Sequence, residues 1–325
     1  MLTRTEVEEL LDVDELIDAL AAAMADLSAG RASVPDRVGA FVESGGMLAA
    51  MPGYTPSAGA LASKLVTLFP GNAGTELPTH QALIAVFDPA TGRPTALLDG
   101  TAITAIRTAA GSALATRLLA RGDSTTLAIL GTGVQARAHA RALTRVRPFE
   151  QIRVAGRDQA KAVALAEELA DELGLPAEAA ASWQEACHGA DVVCATTHPV
   201  EPVVRREWLA PGTHVNSVGF NPDGREVDDA TVAHALVVVE SRQAVLAPPP
   251  AGSADLLQPI ERGLIAAEHV GTEIGELVEG SKPGRSSREQ ITLYKSVGVA
   301  VQDGAAGALV LARARERGAG TEIAL

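Results

Sequence analysis

The stretch Leu127-Ala-Ile-Leu-Gly131-Thr-Gly133-Val-Gln-Ala136 decides the fold. Four apolar residues run into Gly-x-Gly-x-x-Ala, and helical texture follows over residues 134 to 145. In a dinucleotide site the first glycine turns the chain, the second lets a pyrophosphate approach the backbone, and the small third residue admits close helix packing. Gly131, Thr132, Gly133, Val134 and Gln135 are therefore candidate cofactor contacts, with the N–H groups of the helix start available to phosphate.

Working downstream, β-type runs alternate with helical ones. Thr125 to Gly131, Ile152 to Ala155, Asp191 to Thr196, His214 to Val218 and Leu236 to Glu240 read as strands, with helices at 134 to 145 and 159 to 173. Mostly continuous apolar strands separated by helices form a parallel sheet covered on both faces, so the fold class is α/β with a Rossmann-type doubly wound sheet. Upstream the texture differs. Residues 3 to 31 read as one amphipathic helix opened by a Thr3–Glu6 capping box, with Leu10, Leu11, Leu16, Ile17, Leu20 and Met24 on one face. Leu61 to Phe69 and Gln81 to Phe87 have β character, and Asp88 to Pro94 reads as a hairpin turn, together predicting a small mixed sheet. Asp99 can cap a helix running to about Arg121, and after Ile291 to Gly298 the last 25 or so residues return to a helix that packs on the first domain. The expected division is 1–121 with 299–325, and 122–298 as the dinucleotide-binding domain.

The 325 residues, 47% hydrophobic and 21% charged, fit about two globular domains rather than a disordered chain. A formal charge of −13 repels nucleic acid and anionic membranes, so neither is an expected partner and any phosphate must be held locally. Cys187 and Cys194 are too few for a disulfide framework and read as buried thiols. No histidine pair has metal-ligand spacing, so no metal is expected. The N-terminus turns acidic at once and no run of roughly 18 apolar residues lacks a charge, which points to the cytoplasm.

Several side chains carry the chemistry. The second strand ends Val154-Ala-Gly-Arg157-Asp158. Arg157 can hold the 2′-phosphate of NADP, the favoured cofactor, whereas Asp158 either touches the ribose of NAD or caps the next helix. Arg107 falls on the same helical arc as Ile103, Ala110 and Leu114, where a guanidinium must pair with an acid or hold an anion. Lys64 shares a strand face with Val66 and Leu68, and is either an edge-strand lysine reaching for water or a cation in a pocket. His80 stands near a strand start rich in polar groups.

Taken in order, Met51-Pro52, Lys64 with Phe69-Pro-Gly-Asn72, Leu77-Pro-Thr-His-Gln81, Ile103-Thr-Ala-Ile-Arg107, Gly131 to Ala136, Asn216-Ser-Val-Gly219, Arg225-Glu-Val-Asp228 and Lys295-Ser-Val-Gly298 with Gln302-Asp303 resemble the ornithine cyclodeaminase/μ-crystallin family over essentially the whole chain. The resemblance implies a homodimer with a substrate and dimerisation domain interrupted by a Rossmann domain. It places Arg37, Lys64 and Arg107 where the family holds a substrate carboxylate and Thr79 where it contributes a hydroxyl. It adds Thr196, Val218 and Val297 to the cofactor contacts.

One position departs from the cyclodeaminases of this family, which carry an aspartate base where this chain has Asn221. An amide cannot accept the proton, although Asp223, Glu226 and Asp228 lie nearby. The expected activity is therefore NAD(P)H-dependent reduction of a cyclic ketimine carboxylate, such as pyrroline- or piperideine-2-carboxylate, with Lys64, Arg107, Thr79 and Asn221 at the reacting centre. The alternatives are an ornithine or lysine cyclodeaminase, an alanine-type amino-acid dehydrogenase, and a protein that only binds NADP and a small ligand.

Overall fold

In the computed structural model, which describes residues 1–43, 45–221, 224–248 and 251–323, the chain divides into two compact units, Met1–Arg107 with Gly298–Leu325, and Thr108–Val297.

The first unit opens on two helices where the sequence predicts one: α1 (Arg4–Leu10), with the Thr3–Glu6 capping box in place, and α2 (Val13–Ser28). Leu11 and Asp12 are extended between them, because the Asp12 carboxylate accepts from the Glu15 N–H and starts a new helix instead of continuing the old one. Five strands follow: β1 (Val38–Phe41), β2 (Met47–Thr55), β3 (Ala60–Leu68), β4 (His80–Phe87) and β5 (Pro94–Asp99). They pair in sequence order and antiparallel throughout, so the sheet is a meander and not mixed. The connections, from the turn at Asp88 to Pro94 up to the longer loop over residues 69–79, are all shorter than a parallel crossover requires.

One sheet face carries Ala49, Met51, Ala62, Lys64, Val66 and Ile84, all buried. The C-terminal helix Ala300–Arg317 and α2 cover this side of the unit. Gly53 lets that helix approach, since a Cβ there would stand 2.9 Å from the Ala300 methyl. The opposite face presents Leu48, Leu65 and Leu83, each more than a third exposed.

The helix capped by Asp99, α3 (Gly100–Leu119), is buried on almost every side, and the unit boundary falls within it. The second unit is an eight-stranded parallel sheet built from β6 (Thr126–Leu130), β7 (Gln151–Ala155), β8 (Ala177–Ala179), β9 (Val192–Ala195), β10 (His214–Ser217), β11 (Leu236–Val239), β12 (Thr272–Glu273) and β13 (Thr292–Lys295). Its order is β12-β11-β13-β10-β9-β6-β7-β8. The strands from β6 to β8 wind one way and those from β9 onward the other, with α4 (Val134–Leu143) and α5 (Gln159–Leu173) as the first crossovers. The direction reverses between β6 and β9, where doubly wound sheets bind ligands outside the carboxyl ends of their strands. Both cysteines are buried thiols in this unit. Among the described residues no helix is long and apolar enough to cross a membrane.

Candidate active site

The glycine turn after β6 has two glycines with different physical duties. Gly131 has φ +123°, and a Cβ there would stand 2.5 Å from the Thr196 hydroxyl at the end of β9, so the fold itself requires glycine. Gly133 has φ −93°, and a Cβ there would meet nothing within 4 Å. The fold does not need that glycine. It is also the N-cap of α4 without any side-chain cap, leaving the first N–H groups of a ten-residue helix to an outside acceptor. An open cradle at an uncapped helix start fits a dinucleotide pyrophosphate.

The neighbouring candidates frame this turn. Thr196 donates its hydroxyl to the Leu130 carbonyl, and Thr132 packs so close to Gly156 that a Cβ there would lie 2.7 Å from its methyl. Val134 is exposed, and the buried Oε1 of Gln135 has no partner among the described residues. Arg157 is exposed on the turn after β7. Asp158 beside it is the N-cap of α5, with one carboxylate oxygen accepting from the Lys161 N–H at 3.2 Å. Just after β10, Val218 donates its N–H to the Ala195 carbonyl, and Val297 after β13 donates to the buried Glu240 carboxylate.

Asn221 follows Val218 on the loop after β10 and donates its amide to the Pro199 carbonyl at 2.8 Å. An aspartate would face that carbonyl with a second acceptor. The nearby acids are equally committed. Glu226 is 1% exposed and accepts from the Thr197 N–H and hydroxyl with one oxygen and from the Ser217 hydroxyl and Gly219 N–H with the other. Asp228 caps a short helix through the Thr231 N–H and accepts from the Arg206 N–H. Asp223 lies outside the described residues. Lys295, a residue to which sequence reasoning gave no role, binds Ser217, the Gly219 carbonyl and Asp255 from below the same loop.

In the first unit the structure brings together Arg37, Lys64 and Arg107. Lys64 is on a central strand, because β3 has neighbours on both sides, and it is 2% exposed, which excludes the edge-strand alternative. Its ammonium pairs with Asp303 at 2.8 Å, and Arg107, 4% exposed, donates Nε to the other oxygen of the same carboxylate at 3.0 Å. Arg107 donates Nη1 to Gln302 Oε1, and Arg37 donates Nη2 to the Gly298 carbonyl. Gly298, at φ +76°, leaves room for the guanidinium of Arg107, which would stand 2.9 Å from any Cβ.

Two buried cations share one buried carboxylate, so this trio carries a net positive charge. Burial, then Arg107 and Arg37, press the Lys64 ammonium down to about 8 against the pull of Asp303. Burial would raise the Asp303 carboxyl, but Lys64 and Arg107 outweigh it and hold it below its ordinary value. His80 opens β4 beside the cluster, where burial and the charges of Lys64 and Arg107 push it down to about 4, so it is neutral at pH 7. Thr79 is exposed on the preceding loop, with its carbonyl bound to the Phe69 N–H, and no described hydrogen bond ties its hydroxyl to the cations. Asp303 was missed as the shared partner; its signal was the adjacent polar pair Gln302-Asp303 in a helix whose residues are otherwise small or apolar as far as Ala312.

A doubly wound parallel sheet with an uncapped glycine turn, and a first unit with a buried Lys64–Asp303–Arg107 trio of net positive charge, define the class: a Rossmann-type protein with a buried cationic cluster. The chain belongs to the ornithine cyclodeaminase/mu-crystallin family, which it matches over residues 1–318. It is 38% identical over 320 residues to mouse ketimine reductase mu-crystallin, covering 95% of each chain. Its fold matches Thermococcus litoralis Δ1-pyrroline-2-carboxylate reductase, solved with NADH and L-proline, at a TM-score of 0.94, 40% identity and 99% coverage of both chains. An archaeal alanine dehydrogenase dimer with bound NAD matches at a TM-score of 0.91 and 32% identity, covering 99% of this chain and 98% of that one.

Proposed function

We propose that this protein is an NAD(P)H-dependent reductase of cyclic ketimine carboxylates, such as pyrroline- or piperideine-2-carboxylate. The observation that carries the reading is the buried Lys64–Asp303–Arg107 trio, whose net positive charge calls for an anion. A substrate carboxylate supplies that charge, held by Lys64 and Arg107 with Arg37 beside them. Bound nicotinamide supplies the hydride, and the uncapped turn at Gly131 to Gln135, with Thr196, Val218 and Val297, holds the dinucleotide. Arg157, exposed beside the helix-capping Asp158, favours NADPH, while the reductase relative is named with NADH and the dehydrogenase with NAD.

The imine carbon gains a hydride, the C=N bond becomes single, and the nitrogen keeps the proton it carried as an iminium. The anchored carboxylate fixes the orientation of that carbon. Thr79 is the candidate to orient the N–H, and neutral His80 offers an acceptor on the same side of the cluster. Asn221 holds its loop in place and supplies no base, and the filled hydrogen-bond positions of Glu226 and Asp228 leave neither as a substitute. That disfavours the cyclodeaminase alternative, which must remove protons as well as move hydride.

Homodimerisation belongs to the same reading, since the apolar sheet face carrying Leu48, Leu65 and Leu83, with Val38 of β1 on the same side, fits a second copy of itself. A cytoplasmic location belongs to it too, because turnover needs a supply of reduced nicotinamide. The test is an absorbance assay for NADPH and NADH oxidation with cyclic ketimine carboxylates, run beside ammonia release from ornithine and lysine with catalytic NAD. Oxidation without ammonia release supports the reductase, whereas proline or pipecolate formed with no net cofactor consumption overturns it.

A further inference from the structure

Gln302 sits in the first turn of the C-terminal helix, is 0% exposed, and has a different hydrogen-bonding duty at each end of its amide. Its Oε1 accepts from Arg107 Nη1 at 2.9 Å and from the Val299 N–H at 3.1 Å. Turning the amide over would set donors against donors, so these two contacts fix its orientation. Nε2 then carries two N–H groups, and no described residue accepts from it. A buried amide donor without an acceptor is costly, and native interiors leave few of them. This donor lies about 2.3 Å from an oxygen that is itself bound to the guanidinium of Arg107, by the ordinary dimensions of an amide.

We infer that Gln302 is a substrate-binding residue whose Nε2 donates to the carboxylate held by Lys64 and Arg107. The inference rests on the carboxylate-binding reading of that cluster and adds to it a neutral donor. Asp303, one residue on, is the positioning residue of the same pair. Its two oxygens hold Lys64 and Arg107 apart, so that the incoming carboxylate meets both cations already ordered.

Gln302→Glu tests the contact, because it keeps Oε1 and the side-chain volume and replaces the donor by a second acceptor with a negative charge, and the uncharged Gln302→Met variant separates the lost donor from the added charge. In the full-length protein the dissociation constant for L-proline, measured by calorimetry in the presence of NADH or NADPH, should rise about tenfold or more. KM for a cyclic ketimine carboxylate should rise in parallel, whereas the dissociation constant of the cofactor alone should stay within about twofold. The decarboxylated imine, 1-pyrroline, should be reduced by variant and wild type at the same kcat/KM, a result that general damage to the unit would not give. Gln302→Met, similar in volume and without a donor, should show the same selective loss and replaces the first variant if that one does not fold.

Unchanged L-proline affinity in a folded variant overturns the inference. So does a loss that disappears when the substitution is made in an Arg107→Ala background, which would assign the effect to Arg107. A wild type that neither binds cyclic amino acids nor reduces ketimines instead overturns the functional reading, so the two failures are distinct.

Discussion

Replacing Gly133 by valine separates what the nucleotide turn does for the fold from what it does for a ligand. The backbone there is extended, with φ −93° and ψ −168°, a conformation open to residues with a Cβ, and an added Cβ has no neighbour within 4 Å among the described residues. The folded state should therefore lose no more than about 1 kcal/mol, the cost of an apolar residue at the N-cap of α4. The isopropyl group occupies the open cradle at the start of α4, which the pyrophosphate needs. Each charge-assisted N–H contact to phosphate contributes about 1.5–3 kcal/mol, so losing two weakens the cofactor by about 3–6 kcal/mol, roughly a hundredfold to ten-thousandfold. NADPH and NADH titration by cofactor fluorescence reads the affinity, and thermal unfolding without cofactor reads the stability. Gly131→Ala provides the opposite control, because φ +123° and the Thr196 hydroxyl 2.5 Å away make that change strained, so it should lower the melting temperature even without cofactor. A folded Gly133→Val protein that binds cofactor as tightly as the wild type would refute the assignment of the turn.

Arg157→Ala should weaken NADPH by about 1.5–3 kcal/mol and leave NADH nearly unchanged, since it removes a charge-assisted contact to the 2′-phosphate; equal losses for both cofactors count against it. Asn221→Asp should release no ammonia from ornithine and should lower ketimine turnover, because the new carboxylate faces the Pro199 carbonyl where an amide donor stood at 2.8 Å; a gain of deamination in a steady assay contradicts this. Stability should fall as pH drops from 6.5 toward 4. Burial lowers His139 to about 4 and His214 to about 3 from 6.5, so the unfolded chain binds protons that the native one refuses. Each histidine then contributes a loss of about 1.4 kcal/mol per pH unit in that window, to be read from urea midpoints, and a flat profile between pH 6.5 and 5 contradicts it.

The nucleotide half of the molecule was legible because its signals are local. An apolar strand running into Gly131-Thr-Gly133 fixes a strand, a turn and a helix within ten residues, and the spacing of the later apolar runs fixes a parallel sheet. The central strand Thr292–Lys295 escaped notice, since four residues inserted between β10 and β11 leave no periodic trace. The single helix expected over 3 to 31 failed for a related reason: apolar spacing carries across Leu11 and Asp12, and only the capping bond to Glu15 shows the break. The sequence by itself determined that Arg107 and Lys64 stand on apolar faces, where charge must be compensated. What compensates it was decided by tertiary structure alone, because Asp303 is 196 residues from Arg107 along the chain and meets it only when the C-terminal helix closes over the meander. The same holds for the duties of Asn221, Glu226 and Gln302, whose residue types allow either catalysis or structure until the partners of each oxygen and nitrogen are seen.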